Sequence, residues 1–258
     1  MNFTRNSAKW FPPIITSLIL FAVMEFLVRT EVLNPSLFPS PLQILASLDE
    51  NKTEFLTALM QTTLAVVAGF SLSIVFGLTL AILFSLNSFL RRGVLPFAIF
   101  FQTVPIIAIA PLLVIYFGFG ISTVIAAAMI VSIFPIIANA LVGLSSAPRD
   151  QADLFKIYKA SAVKTLLRLQ LPSAYLSIYT GLKVSAGLAV IGAVAGEFVA
   201  GGGLGALIDS ARTQQRIDLV FAAILLLSLL GLALILAIEL IHWGLQKWRP
   251  LAIHLNKG

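Results

Sequence analysis

The chain has 258 residues, of which 59% are hydrophobic and only 11% charged, and its mean hydropathy is +1.00, so a water-soluble fold would lack the polar surface to cover itself. Cysteine is absent, which removes disulfides, thiolate metal sites and cysteine nucleophiles at once. The net charge of +6 and the pI near 9.8 would suggest nucleic acid for a soluble chain, but in a membrane protein basic residues record orientation instead.

A bilayer core asks for roughly 20 apolar residues per helix. In chain order, Pro12-Pro13 suits a first helical turn, where proline's missing N–H would have had no partner. The first expected span is 12–29. It is read as retained: it is long, carries Glu25, and has no small-x-small site after it. An external loop follows, with a short interfacial helix from Pro41. The second span is 55–86, ended by the Arg91-Arg92 region. The apolar run 94–144 is too long for one crossing, and Gly118-Phe119-Gly120 divides it into spans at 94–117 and 121–144.

A basic segment, 145–173, separates these from a fifth span at 175–199, where Lys183 is close enough to the start to snorkel. Gly201-Gly202-Gly203-Leu204-Gly205 breaks that helix. A sixth span, 219–243, ends on the anchor Trp243, Lys247, Trp248 and Arg249. The fold expected is therefore an all-α membrane protein, one transmembrane domain over 1–258 with six transmembrane helices. Six spans put both termini on one side, and basic residues favour that side by about three to one, which assigns the termini and the 145–173 loop to the cytoplasm. No surplus basic patch remains to need nucleic acid.

The loop is too long for a minimal hairpin. Asp150 and Asp153 suit a helix N-terminus, and Phe155, Tyr158, Ala162, Leu166 and Leu169 recur at helical spacing opposite Lys156, Lys164 and Arg168. From pattern alone, an interfacial helix lying on anionic lipid fits as well as a docking helix.

Other candidates sit at membrane depth. Gln102, Thr103, Pro105 and Pro111 make the third span unusually polar and kinked, which fits pore lining or simple kinking. Asn139 is a weaker case. Glu197, beside the glycine run, fits a gate, a partner for a basic residue, or an interfacial side chain. Gly181, Gly187, Gly192 and Gly196 read as close helix packing. His242 and His254 lie beyond the last apolar run and read as interfacial; no catalytic residue, metal site or cofactor is expected in this chain.

Asp153-Leu154-Phe155, then Lys159-Ala160-Ser161, then Leu169-Gln170-Leu171-Pro172 keep the spacing of the EAA loop (Glu-Ala-Ala, Gly-Ala-Ser, Ile-x-Leu-Pro). Phe38-Pro39-Ser40-Pro41, Pro105 and Pro111 with Phe117-Gly118-Phe119-Gly120, Gly181-Leu182-Lys183, and Glu197 with Gly202-Gly203-Leu204-Gly205 extend the likeness. The chain resembles the permease subunits of ABC importers, in the branch handling nitrate, sulfonates, taurine and thiamine-pyrimidine precursors.

The resemblance implies a multi-pass protein of the bacterial cytoplasmic (inner) membrane whose loop forms a coupling helix between spans four and five. It implies cytoplasmic ATP-binding subunits, a periplasmic or lipid-anchored substrate-binding protein and a second permease copy, identical or related. Asp153, Leu154, Phe155, Lys159, Ala160, Ser161, Lys164, Leu169, Leu171 and Pro172 would carry the coupling, with Leu171-Pro172 ending the helix abruptly. The chain departs from the pattern in two ways: Asp153-Leu154-Phe155 is bulkier than Glu-Ala-Ala, and Lys159 stands where the family has glycine. The glycine run lacks a following Lys-Ser/Thr, so ATP hydrolysis belongs to another chain. An uncharged heterocycle fits the uncharged third span better than an oxyanion does. A stand-alone secondary transporter or channel would need midplane acids or arginines, and a membrane enzyme would need clustered His, Asp or Ser. The sequence offers almost none of either.

Overall fold

The computed structural model describes residues 4–34, 37–87, 89, 92–93, 96, 100 and 103–248. Its helices are α1 (Thr4–Arg29), α2 (Pro41–Glu50), α3 (Lys52–Leu86), α4 (Ile106–Phe117), α5 (Ile121–Leu144), α6 (Arg149–Ile157), α7 (Ala162–Ala200), α8 (Gly203–Thr213) and α9 (Ile217–Trp248).

The expectation of six spans is corrected. Among the described residues, four helices are long and apolar enough to cross a membrane: Lys52–Leu86, Ile121–Leu144, Ala162–Ala200 and Ile217–Leu245. The expected first span falls on α1, which is not one of the four. The expected third span fails for a local reason. Pro105 takes an extended conformation (φ −60°, ψ 124°) and caps α4, which then has only 12 residues. Proline disfavours helix in the residue before it, and 12 residues rise about 18 Å, short of the roughly 30 Å of hydrocarbon. Much of the remainder of that expected span, including Gln102, lies outside the described residues.

Helix α5 lies between α3 and α7 and packs along both. Ser73 and Ser132 hydroxyls meet at 2.5 Å across the α3–α5 seam, and Ser73 also reaches the Met129 carbonyl. Such interhelical bonds favour association where apolar contacts alone do not distinguish a neighbouring helix from lipid. Small residues bring the backbones together. A Cβ added to Gly192 would stand 2.7 Å from the Ala127 carbonyl oxygen, and one on Gly69 would stand 2.6 Å from Ala128 Cβ. Gly181 and Gly196 are likewise closed by α5, whereas Gly187 faces open space. Gly192→Ala is therefore expected to cost about 1–3 kcal/mol through overpacking. Gly187→Ala should be neutral or slightly stabilising, since alanine is the better helix former. Melting of the two purified variants in detergent compares them directly.

Two junctions fix the ends of the bundle. Gly118 (φ 77°) and Gly120 (φ 98°) make the expected α4–α5 turn, and the Gly120 N–H donates to the Ala200 carbonyl at the end of α7. Helix α2 starts with a capping box: Ser40 accepts from the Gln43 N–H, and the Ser40 N–H donates to Gln43 Oε1. Ser47 on α2 then donates to Asp218 at the head of α9, which Arg216 also pairs.

Candidate functional site

The segment from α5 to α7 is not one amphipathic helix. α6 covers Arg149–Ile157, with Asp150 in its first turn and Lys156 in its last, both matching the helix dipole. It stops at Tyr158. The Lys159 N–H then donates to the Lys156 carbonyl and the Ala160 N–H to the Phe155 carbonyl, each at 2.9 Å, while Lys159 takes φ 46°. These two bonds around a left-handed residue form a Schellman stop. Ser161 starts the next helix by accepting from the Lys164 N–H.

The three positions Lys159-Ala160-Ser161 thus end one helix and begin another, which explains why a glycine-alanine-serine pattern suits them. The left-handed residue favours glycine, and the residue that caps α7 favours serine. Lysine at 159 bears a backbone conformation that costs a side-chain-bearing residue roughly 1 kcal/mol.

Because the chain turns here, the apolar stripe expected from Phe155 to Leu169 is divided. Leu166 is buried against Phe84, Ile137, Leu141 and Leu144, and Leu169 is buried as well. Phe155 is half-buried, while Tyr158 and Ala162 are exposed. The outward apolar surface is instead Leu154, Ile157, Tyr158, Val163 and Leu167. Asp153 pairs with Lys156 at 2.9 Å on α6, and Lys164 is exposed. The expected abrupt end at Leu171-Pro172 is also corrected: α7 runs through it without a break. Leu166–Gln170 is a π-helical turn immediately ahead of Pro172. A wide turn there relieves the clash a proline ring makes with the preceding turn.

Among the described residues, the pore candidates are not gathered into one site. Gln102 lies outside the described residues. Thr103 is exposed and its hydroxyl donates to the Phe100 carbonyl; Pro105 breaks the chain before α4. Asn139 donates to the Pro135 carbonyl, and a Cβ on Gly181 would stand 2.8 Å from its own Cβ. This places Asn139 in the α5–α7 seam.

Glu197 lies at the far end of α7 and is 2% exposed. Its Oε1 accepts from the Thr62 hydroxyl and its Oε2 from the Gly205 N–H, each at 2.7 Å. Thr62 Oγ1 accepts from the Leu204 N–H, and Gln61 Oε1 accepts from the Gly203 N–H. These amides are the orphan donors at the start of α8, where a negative charge is also favoured by the helix dipole. Gly201, Gly202 and Gly203 all take positive φ, 66–83°, to double the chain back over the carboxylate. Gln61 and Thr62 belong to this knot but carry no motif. Their only sequence signal is their place on α3, which matters once α8 is known to pack there.

The chain is thus a bundle of helices long and apolar enough to cross a membrane, with an exposed helix-turn-helix at one end and a buried polar knot at the other. Residues 73–246 match the binding-protein-dependent transport system inner membrane component family, and the chain belongs to that family: it is an inner-membrane ABC-importer permease, not an enzyme. It is 36% identical to the formylaminopyrimidine transport permease protein ThiX of Halalkalibacterium halodurans, over 95% of this chain and 98% of that one. It is 37% identical to the riboflavin transport system permease protein RibX of Chloroflexus aurantiacus, over 73% of this chain and 71% of the relative. Among solved structures, a chain of the MetNI methionine ABC transporter in an inward-facing conformation superposes with a TM-score of 0.64 at 18% identity. That match covers 71% of this chain and 92% of the other, and it shows a shared fold.

Proposed function

We propose that the chain is the membrane-spanning subunit of an ATP-driven importer for an uncharged heterocyclic solute of the pyrimidine-precursor kind. It works as a pair of permease copies with two ATPases on the cytoplasmic face and a substrate-binding protein on the other. The observation that carries the coupling role is the helix-turn-helix at Arg149–Thr165, whose Leu154, Ile157 and Tyr158 are exposed on a short helix ended by a Schellman stop. A rigid helix with an apolar face and flanking charges suits a cleft in a partner. Asp153, Leu154 and Phe155 lie on this helix, Lys159, Ala160 and Ser161 form its exit, and Lys164 stands on the following turn. Leu169, Leu171 and Pro172 contribute through the root of α7.

Charge supports the sidedness. The segment 145–173 has five basic residues against two acids, whereas 201–218, at the other end of α7, has two of each. The positive-inside rule then puts the helix-turn-helix in the cytoplasm. The solute class rests on the likeness to a formylaminopyrimidine permease over nearly the whole chain and to a riboflavin permease over most of it.

Uptake tests the solute class. The permease is reconstituted in vesicles with its ATPase and binding protein and offered labelled formylaminopyrimidine, riboflavin, taurine and bicarbonate. ATP-dependent uptake of the pyrimidine is expected, and preference for taurine or bicarbonate would reject this solute class. Lys164→Glu should remove the ATPase from the purified complex while leaving membrane insertion intact.

A further inference from the structure

On α7, Tyr175, Tyr179 and Lys183 follow one another at four-residue spacing, so they share one face of the helix. Opposite them on α9 stand Glu239 and His242. Lys183 Nζ donates to Glu239 Oε1, and the ammonium lies 5.6 Å from the centre of the Tyr179 ring. His242 stacks on Tyr179 at 4.0 Å between ring centres, and its Nδ1 bonds the Tyr175 hydroxyl at 2.7 Å. α7 begins at Ala162, so Lys183 lies past the middle of a 39-residue helix and meets a carboxylate on its neighbour.

The rest of the α7–α9 seam is apolar, with Leu227, Leu230, Leu234, Ile235 and Ile238 against a core that includes Ala186, Ala189, Val190 and Ala193. Such surfaces are nearly as content against lipid tails as against each other, so they hold two helices together without strongly fixing their rotation or register. α9 is also the least buried of the four spans, with 17% of its apolar window covered against 33–44% for the others. An ion pair at membrane depth is different. Separating it leaves charge in a poorly polar medium, and only one rotation and register of α9 keeps all five side chains matched.

We infer that Lys183 and Glu239, flanked by Tyr175, Tyr179 and His242, are positioning residues for transport: they lock α9 onto the middle of α7, so that displacement of α7 carries α9 with it. This rests on the coupling role given above to residues 149–165. α7 is continuous from its Ser161 cap, so a push delivered there enters α7 at its root. The ladder begins at Tyr175, about four turns of 3.6 residues beyond the Ser161 cap and about seven turns short of the far end, where the glycines release the chain at 201–203. Among the described residues α9 has no extensive contact with the helix-turn-helix, and it receives the motion across the ladder.

The test uses the complete importer in lipid nanodiscs and vesicles, with Lys183→Met, Glu239→Met, the double Met variant, and the exchanged pair Lys183→Glu with Glu239→Lys. Because the chain has no cysteine, Leu176→Cys and Leu245→Cys on the exposed sides of α7 and α9 are labelled in the purified permease, before assembly, without background from the chain itself. Each single variant, and the double Met variant that leaves no charge unpaired, is expected to lose transport by about tenfold or more while retaining ATPase association and ATP hydrolysis. The exchanged pair should recover to within about twofold of the parent. The label distance in the parent should stay the same in the resting and ATP-trapped states, and should diverge between those states in the double Met variant. Normal transport by the double Met variant, or a parent distance that changes on trapping, overturns the inference. Failure of the parent to retain its ATPase would reject the coupling role of the helix-turn-helix instead, and the resting label distance would still report whether the ladder locks the two helices.

Discussion

Replacing Glu197 by alanine is expected to destabilise the protein by about 2–4 kcal/mol and to lower the yield of folded, detergent-extracted material severely. The carboxylate is buried and takes the Gly205 N–H and the Thr62 hydroxyl. Alanine orphans the Gly205 amide, which costs about 1–3 kcal/mol in a buried place, and removes the negative group that complements the start of α8. Glu197→Gln should be mild. A glutamine oxygen can accept from Gly205, and its amide can donate to Thr62 Oγ1, whose own hydroxyl then turns to the Ala58 carbonyl at 3.1 Å. Gly203→Ala should resemble Glu197→Ala, because the added Cβ would fall 1.9 Å from Glu197 Oε1 at a residue with φ 66°. Melting temperatures for the three variants decide the matter. A Glu197→Ala protein as stable as the parent would show that the knot does not hold α8, and equal loss in Glu197→Gln would show that the negative charge itself is required.

Ala160→Pro should abolish ATPase association while leaving the membrane bundle intact. Proline has no N–H to donate to the Phe155 carbonyl, and it drives the preceding residue toward extended conformations. Lys159 sits at φ 46°, so the Schellman stop loses one of its two bonds and its left-handed residue together. α6 would leave the chain in a different direction, and Leu154, Ile157 and Tyr158 would no longer be presented from a fixed helix. The bundle is spared because α7 starts afresh at Ser161 and its buried residues Leu166 and Leu169 lie beyond the change. Lys159→Gly is the converse. It keeps the turn, removes a left-handed lysine, and should stabilise the loop by about 1 kcal/mol. Co-purification of the ATPase with each variant, beside its melting temperature, reads both effects. Full ATPase recovery with Ala160→Pro would mean that the geometry of this turn does not set the dock.

The EAA-type spacing at 153–172 was legible in the residues, but its mechanical meaning was not. A helical period reads continuously through Phe155, Tyr158, Ala162, Leu166 and Leu169 because periodicity registers spacing and not direction. A single residue at positive φ redirects everything after it. Lys159 hides that turn, since the sequence signal for a left-handed helix stop is glycine or asparagine and lysine carries neither. Glu197 was noticed for being an acid near a glycine run, yet its partner Thr62 is 135 residues away in the chain, and both Thr62 and Gln61, which takes the Gly203 N–H, belong to an ordinary apolar helix.

Composition and hydropathy by themselves determined the solvent of this protein, its all-helical character, the Gly118–Gly120 turn and the short helix at Pro41. All of these follow from local chemistry: apolar length, missing N–H groups and glycine's freedom. The third span was overcounted for the same reason, because hydropathy does not register that the helix starting after Pro105 has only 12 residues. Only the tertiary structure decided that Glu197 caps α8 and that Lys183 meets Glu239. Both are partnerships of polar groups inside an apolar medium, where the cost of leaving a group unpaired forces a match, and which partner answers depends on how the helices pack.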